Sequence, residues 1–289
     1  METLRKYMYE GLLRGQQSTL DSGEEAVYVL IEEFLKENYN GTWTISEKPN
    51  KDGLYEVSSN ENIKVKNTKI TSLTNDLFIW TGVKSDFYCA GRNSLKSLEG
   101  APKEVGGYFD CSSCKSLKSL KGAPVIVKGD FNCHDCSGLK SLEGAPEEVI
   151  KNFDCSYCNS LKSLKGAPVI VKGDFNCYDC SGLKSLEGAP KKVEGTFYCR
   201  NCSRLESLDG APKKVGGSFY CAGCNSLKSL KGAPKKVEGY FDCSSCKSLK
   251  SLDGAPEEVG TYFDCSNCGK SFIEDDIKKV SKVNTNIYC

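Results

Sequence analysis

A single histidine among 289 residues leaves little scope for the acid–base chemistry that this side chain performs near neutral pH. His134 lies in Cys133-His134-Asp135-Cys136, where it reads as a surface residue on the solvent side of a strand. Neighbours in sequence do not make a Cys–His dyad, which is a matter of spatial geometry. Charge of one sign is also missing. Lysine and arginine total 39 against 38 acids, a formal charge of +1, so no global field recruits nucleic acid or a membrane. No apolar run is long enough to span a bilayer, and the opening METLRKY lacks a signal-peptide apolar region. A phosphate-binding glycine loop is absent too, because Gly-Gly and Gly-Ala-Pro recur at regular turns. Carboxylates recur too often to single out a catalytic pair. These absences point away from an enzyme and from any cofactor.

Proline is scarce and oddly placed: eight of the nine fall in one recurring Gly-Ala-Pro. That tripeptide belongs to a repeat of 22 residues, marked by Phe87, Phe109, Phe131, Phe153, Phe175, Phe197, Phe219, Phe241 and Phe263, each followed two residues later by Cys. A fixed period of this size predicts a solenoid, in which neighbouring coils supply the core that none can build alone. One unit, FDCSSCKSLKSLKGAPVIVKGD from Phe109 to Asp130, gives F-x-C-x-x-C-x-x-L-x-S-L-x-G-A-P-x-x-V. The period-two fragment F-x-C turns Phe109 and Cys111 inward and Tyr108 and Asp110 outward. Leu117, Leu120 and Val127 close the coil. Pro124 fixes φ and donates no hydrogen bond, so that side is expected to be a corner, neither helix nor central strand. One strand per coil follows from this reading.

The pattern resembles the leucine-rich repeat family, L-x-x-L-x-L-x-x-N/C-x-L. Phe109 and Cys111 stand at its two strand leucines and Cys114 at its Asn/Cys position, with one extra residue in Cys114-Lys115-Ser116-Leu117. The Gly-Ala-Pro corner is similar to the short, helix-poor bacterial and viral members, and METLRKYMYEGLL resembles openings of tailed-phage proteins. The resemblance implies a mainly β, leucine-rich-repeat-like parallel β-solenoid with a small N-terminal α+β cap and a short C-terminal cap. Residues 1–62 form the first cap, 63–268 the solenoid and 269–289 the second cap. The degenerate first coil, 63–86, carries Ile63, Val65, Ile70 and Leu73 at core positions and Thr68 at the Asn position. Upstream, Ser22-Gly-Glu-Glu25 reads as a capping box opening an amphipathic helix to about Leu35. Its apolar side is Ala26, Val27, Leu30, Ile31 and Phe34. Asn40-Gly41 would end it. Trp43-Thr44-Ile45 looks like a strand, and Leu54 to Val57 an edge strand. Phe272, Ile273, Ile277 and Val280 suggest a terminal helix, with a last strand over Asn286 to Cys289.

Sixteen of the 18 cysteines form CxxC pairs, and 18 residues separate adjacent pairs, a zinc-ribbon spacing. Coil length alone dictates that spacing. Strands about 4.8 Å apart would set four thiols in a near-planar rectangle, whereas zinc takes a tetrahedron. Buried cysteine also packs as a small hydrophobe. A ladder of free thiols in a reducing cytoplasm is therefore expected, with a soft-metal array as the alternative.

Positions flanking each Phe vary among Asp, Asn, Tyr, Thr and Ser, and in a leucine-rich repeat that sheet is the usual binding face. Asp130, Asn132, Asp154, Asp174, Tyr178 and Tyr198 are the candidate partner-binding residues. Their acidic and aromatic character favours a basic or mixed polar protein surface. All six are expected to point away from the core, so that charge reversal at Asp130, Asp154 and Asp174 would abolish partner capture and leave the melting temperature nearly unchanged. Glu99, Lys121, Glu143, Lys165 and Glu187 alternate in sign from coil to coil and read as a register device. The near-identity of 109–152 and 153–196 implies growth by a two-coil duplication.

Overall fold

The computed structural model describes residues 23–73 and 76–289. The chain is a parallel β-solenoid whose coils each contribute to two twelve-stranded sheets. One sheet, here the Phe sheet, stacks two-residue strands such as Phe109–Asp110, Phe131–Asn132 and Phe153–Asp154, with each Phe directly beside the next. Alternation holds as the sequence requires. The Phe and Cys side chains are fully buried, while the residue between them is partly exposed, except the buried Asp242. Rings of successive Phe residues lie 5.1–5.7 Å apart and mostly stacked, forming an aromatic column through the core.

The other sheet corrects the one-strand expectation. After each Gly-Ala-Pro, two residues ending in the core valine form a second strand, as at Ile126–Val127 and Glu148–Val149. Pro124 sits just before this strand, where its missing N–H removes no ladder bond. The Val125 N–H already donates to the Lys103 carbonyl at 2.9 Å, and that of Lys128 to Val105 at 2.9 Å. Two residues are too few to display a period of two, so this Val sheet left no pattern in the sequence. Gly122, at the corner, has φ +85°, and a Cβ there would lie 2.3 Å from the Glu99 nitrogen. The coils approach so closely at this point that only glycine fits.

At the amino end, α1 (Gly23–Asn38) buries Ile31 and Leu35 against the first coils. It runs past Leu35 to Asn38, whose Nδ2 donates to the Phe34 carbonyl at 2.8 Å. Ser22 of the capping box and the leader METLRKYMYEGLL lie outside the described residues. β1 (Tyr39–Asn40) pairs antiparallel with β4 (Ile63–Val65), and β2 (Thr44–Ile45) pairs antiparallel with β3 (Tyr55–Ser59). The segment expected at the edge, Leu54 to Val57, is therefore not the edge: β3 lies between β2 and β5 (Phe78–Val83) in the Val sheet. Ile63 stands beside Phe87, so the degenerate coil keeps the Phe register. Buried Trp80 fills the space beneath this cap, edge-on to Tyr39 at 5.6 Å, and Trp43 Nε1 donates to Glu32 at 3.1 Å. The far end closes with α2 (Glu274–Lys278), which buries Ile277, and with Ile287–Tyr288 pairing beside Phe263–Asp264. Phe272 is buried with Ile277, whereas Ile273 is exposed.

Candidate binding face

Each CxxC turn begins where the Phe strand ends. The second residue between the cysteines adopts a left-handed conformation, including Ser113, Asp135, Asp179 and Asn201 at φ 52–59°. Asp and Asn tolerate this region; Tyr157, at φ 58°, is the bulky exception. The turn delivers the second cysteine of each pair to the coil before it. Cys114 Sγ donates to the Cys89 carbonyl at 3.2 Å, Cys136 to Cys111 at 3.1 Å, and the row continues to Cys268 and Cys243 at 3.2 Å. These thiols give buried carbonyls of the preceding coil a hydrogen-bond donor inside the core. Burial holds Cys111, Cys133 and Cys155 well above the ordinary thiol range, which keeps them protonated. Among the described residues, no group of three or more His, Cys, Asp or Glu side chains is placed to hold a metal ion.

Outside the Phe sheet, an Asp, Asn, Thr or Ser side chain before a Phe reaches across to the next coil. Asp130 Oδ1 accepts the Asn152 N–H at 2.9 Å, Asn152 Oδ1 that of Asp174 at 2.8 Å, and Asp174 Oδ1 that of Thr196 at 2.7 Å. An Asp or Asn after a Phe caps its own turn: Asn132 accepts from the His134 N–H at 3.0 Å and Asp154 from Ser156 at 2.8 Å. Asp154 also accepts from Asn176 Nδ2 at 3.2 Å, and Asn132 Nδ2 donates to the Tyr108 hydroxyl. Hence the expectation that reversing these charges is neutral for stability is corrected. Each reversal removes a hydrogen bond that ties coil to coil or strand to turn.

The six expected site residues share this one face, but they divide. Asp130, Asn132 and Asp154 line a hollow of about 250 Å³ with Tyr108 and Asn152. Tyr178 lies further along, edge-on to Tyr157 at 5.3 Å, its hydroxyl accepting from Asn201 Nδ2 at 2.9 Å. Tyr198 instead begins a tyrosine row that the sequence reading did not assemble. Tyr198 stacks on Tyr220 at 5.3 Å, Tyr220 on Tyr240 at 6.5 Å, Tyr240 on Tyr262 at 4.8 Å, and Tyr262 meets Tyr288 at 5.8 Å. A second hollow, about 380 Å³, opens among Tyr220, Tyr240, Tyr262 and Tyr288, with Asp242 and Asp264 in its lining. The row crosses from the position after Phe to the position before it, so no single sequence column contains it. Arg200 lies in the same region. Its guanidinium sits 4.2 Å from the centre of the Tyr220 ring and pairs with Asp242.

Elsewhere, the alternating column closes an ion pair between Lys165 and Glu187 at 3.3 Å. His134 lies in the turn beyond the strand, partly exposed. No protein-family model, no curated protein and no solved structure matches this chain. Among the described residues, no helix is long and apolar enough to cross a membrane.

Proposed function

We propose that this solenoid is a non-enzymatic scaffold, leucine-rich-repeat-like in its coil, that binds a basic segment of a partner protein along the Phe sheet. The observation that carries this reading is Arg200. The face already receives one guanidinium, the chain's own, between a tyrosine ring and a carboxylate. A tyrosine and a carboxylate also line the hollow at Tyr262 and Asp264, with no side-chain cation on either among the described residues. Cation–π contact and a charge-assisted hydrogen bond act together on one arginine or lysine. Asp130 adds charge at the other hollow and Asp174 adds it one coil beyond Asn152, since each commits only one carboxylate oxygen to the backbone. Free, buried thiols fit a reducing compartment such as the cytoplasm.

The test separates charge from fold. Asp130→Asn combined with Asp174→Asn keeps the Oδ1 acceptor, as Asn152 does naturally, and removes the charge; melting should be nearly unchanged. Asp130→Lys with Asp174→Lys should lower stability by about 1 kcal/mol or more per lost bond. In affinity capture from the native host, the Asn pair and Tyr220→Ser should each lose the same partner, which carries a Lys/Arg-rich segment. A partner retained by both variants overturns the reading.

A further inference from the structure

The Val sheet exposes an aliphatic patch that the coil does not require. Val125 is 67% exposed, Ile126 46%, Ile150 38% and Val169 44%, all within three adjacent coils, and Ile170 extends the patch. On later coils the positions of Val125 and Ile126 hold Lys191-Lys192, Lys213-Lys214 and Lys235-Lys236. Register places Glu148 beside Ile170, and Ile170 beside Lys192. Along the sheet the order is therefore Glu147-Glu148, then Val169-Ile170, then Lys191-Lys192, an acidic pair and a basic pair on either side of an apolar centre.

A face with that order is complementary to itself under one kind of two-fold axis. With the axis parallel to the strands, the second copy runs its coils in reverse, and residue i meets j while j meets i. Glu147-Glu148 of each copy then faces Lys191-Lys192 of the other, twice, across a shared Val169-Ile170 centre. One coil further out, Val125-Ile126 faces Lys213-Lys214, whose aliphatic stems can cover it. The alternative axis, along the solenoid, sets acid against acid and lysine against lysine. Lys172 is the one cation that meets its own copy near the axis. Its Nζ is drawn to Glu148 Oε1 at 2.9 Å, toward the preceding coil, so it arrives with a counter-charge. Lys192 is held by Glu194 of its own strand at 2.6 Å, and Lys191 has no ion pair among the described residues.

We propose that the Val sheet is a homodimer interface, on which a second copy of this chain lies with its coils reversed, centred on Val169 and Ile170. The contact is narrow and flanked by exposed charges, so the dimer is reversible and weakened by salt. Sedimentation of the full chain across micromolar concentrations should show a monomer–dimer equilibrium that shifts to monomer in high salt.

Two variants test the geometry: Glu147→Lys with Glu148→Lys, and Lys191→Glu with Lys192→Glu. Each alone sets like charges together twice and should weaken dimerisation at least tenfold, with thermal melting by circular dichroism reporting that the fold is kept. Mixed in equal amounts, the two variants should recover a dimer, and a tag on one should capture the other. A native chain that is monomeric throughout overturns the proposal, as does a dimer indifferent to both variants or a pair of variants that does not recombine. Binding of polyglutamate to a monomeric native chain would assign the lysine rows to an acidic partner and likewise sink it.

Discussion

Cysteine does two jobs in each coil that its residue type does not distinguish. The first thiol of a pair, such as Cys133, fills the core beside Phe131; the second, Cys136, donates to a carbonyl of the preceding coil. Both are fully buried, and among the 18 cysteines Cys268 is only partly buried and Cys289 is exposed. Alkylation of the native chain should therefore modify Cys289 first and Cys268 next, the latter helped by the Cys243 thiol, whose hydrogen bond to the Cys268 sulfur lowers its pKa. The other sixteen should react only on unfolding. Mass spectrometry of partially labelled protein checks this, and early labelling of Cys155 or Cys177 would contradict it. At this scale the core was legible: Phe, Cys, Leu and Val of each repeat occupy the buried positions that their spacing demands. The duty of Asp130 and Asp174 was not. A column of Asp, Asn, Thr and Ser suits a solvated face and an inter-coil N–H acceptor equally well, and only the register between coils separates the two. The tyrosine row was hidden for a related reason, since Tyr220 and Tyr240 belong to different columns and meet only when the sheet is stacked.

The strands are two residues long and mean little singly; the element that matters is the coil. Its corner demands glycine, its core demands Phe, and its neighbours must arrive in register. Deleting residues 131–174 joins Asp130 to Phe175, which restores the Asp-Phe junction found at both places. Lys121 would then stand beside Glu187, as Lys165 does now at 3.3 Å. A chain so shortened should fold with the same circular-dichroism shape and a cooperative melt, because the core of each coil packs on its neighbours and the removed coils take no part in the longer-range Arg200–Asp242 pair. Deleting 131–163 removes a non-integral length, brings Leu164 to a Phe position and should not yield a cooperative melt. The caps were partly legible at this scale. Helix α1 and the terminal helix came from apolar spacing, whereas β3 was placed at the edge because nothing in its own residues reveals that β2 folds back outside it.

Across the whole molecule, thiol burial becomes a dependence on pH. Cys111, Cys133, Cys155, Cys177, Cys199, Cys221 and Cys243 are all held well above the ordinary value of 9.0, mainly by burial, and Cys246 and Cys265 are pushed up to about 12. The unfolded chain releases these protons near its ordinary thiol values while the folded chain retains them. Above that range the unfolded state binds fewer protons, so stability falls as pH rises, by roughly 1 kcal/mol per such thiol per pH unit. Below it the contribution is fully present. Denaturant midpoints should accordingly be flat from pH 7 to 8 and drop steeply above pH 9; a flat profile through pH 10.5 would show that the thiols are not the controlling groups.

Trp43 and Trp80 are the two tryptophans of the chain, in the amino-terminal cap and in the coil beneath it, whereas the stacked row from Tyr198 to Tyr288 occupies the opposite half. Red-edge excitation therefore reports on the amino-terminal end alone, whereas tyrosine emission at shorter wavelength adds the far coils, whose row holds five of the 14 tyrosines. An unlabelled sample thus carries its own pair of optical probes, and the order in which their signals change gives the direction from which the stack comes apart.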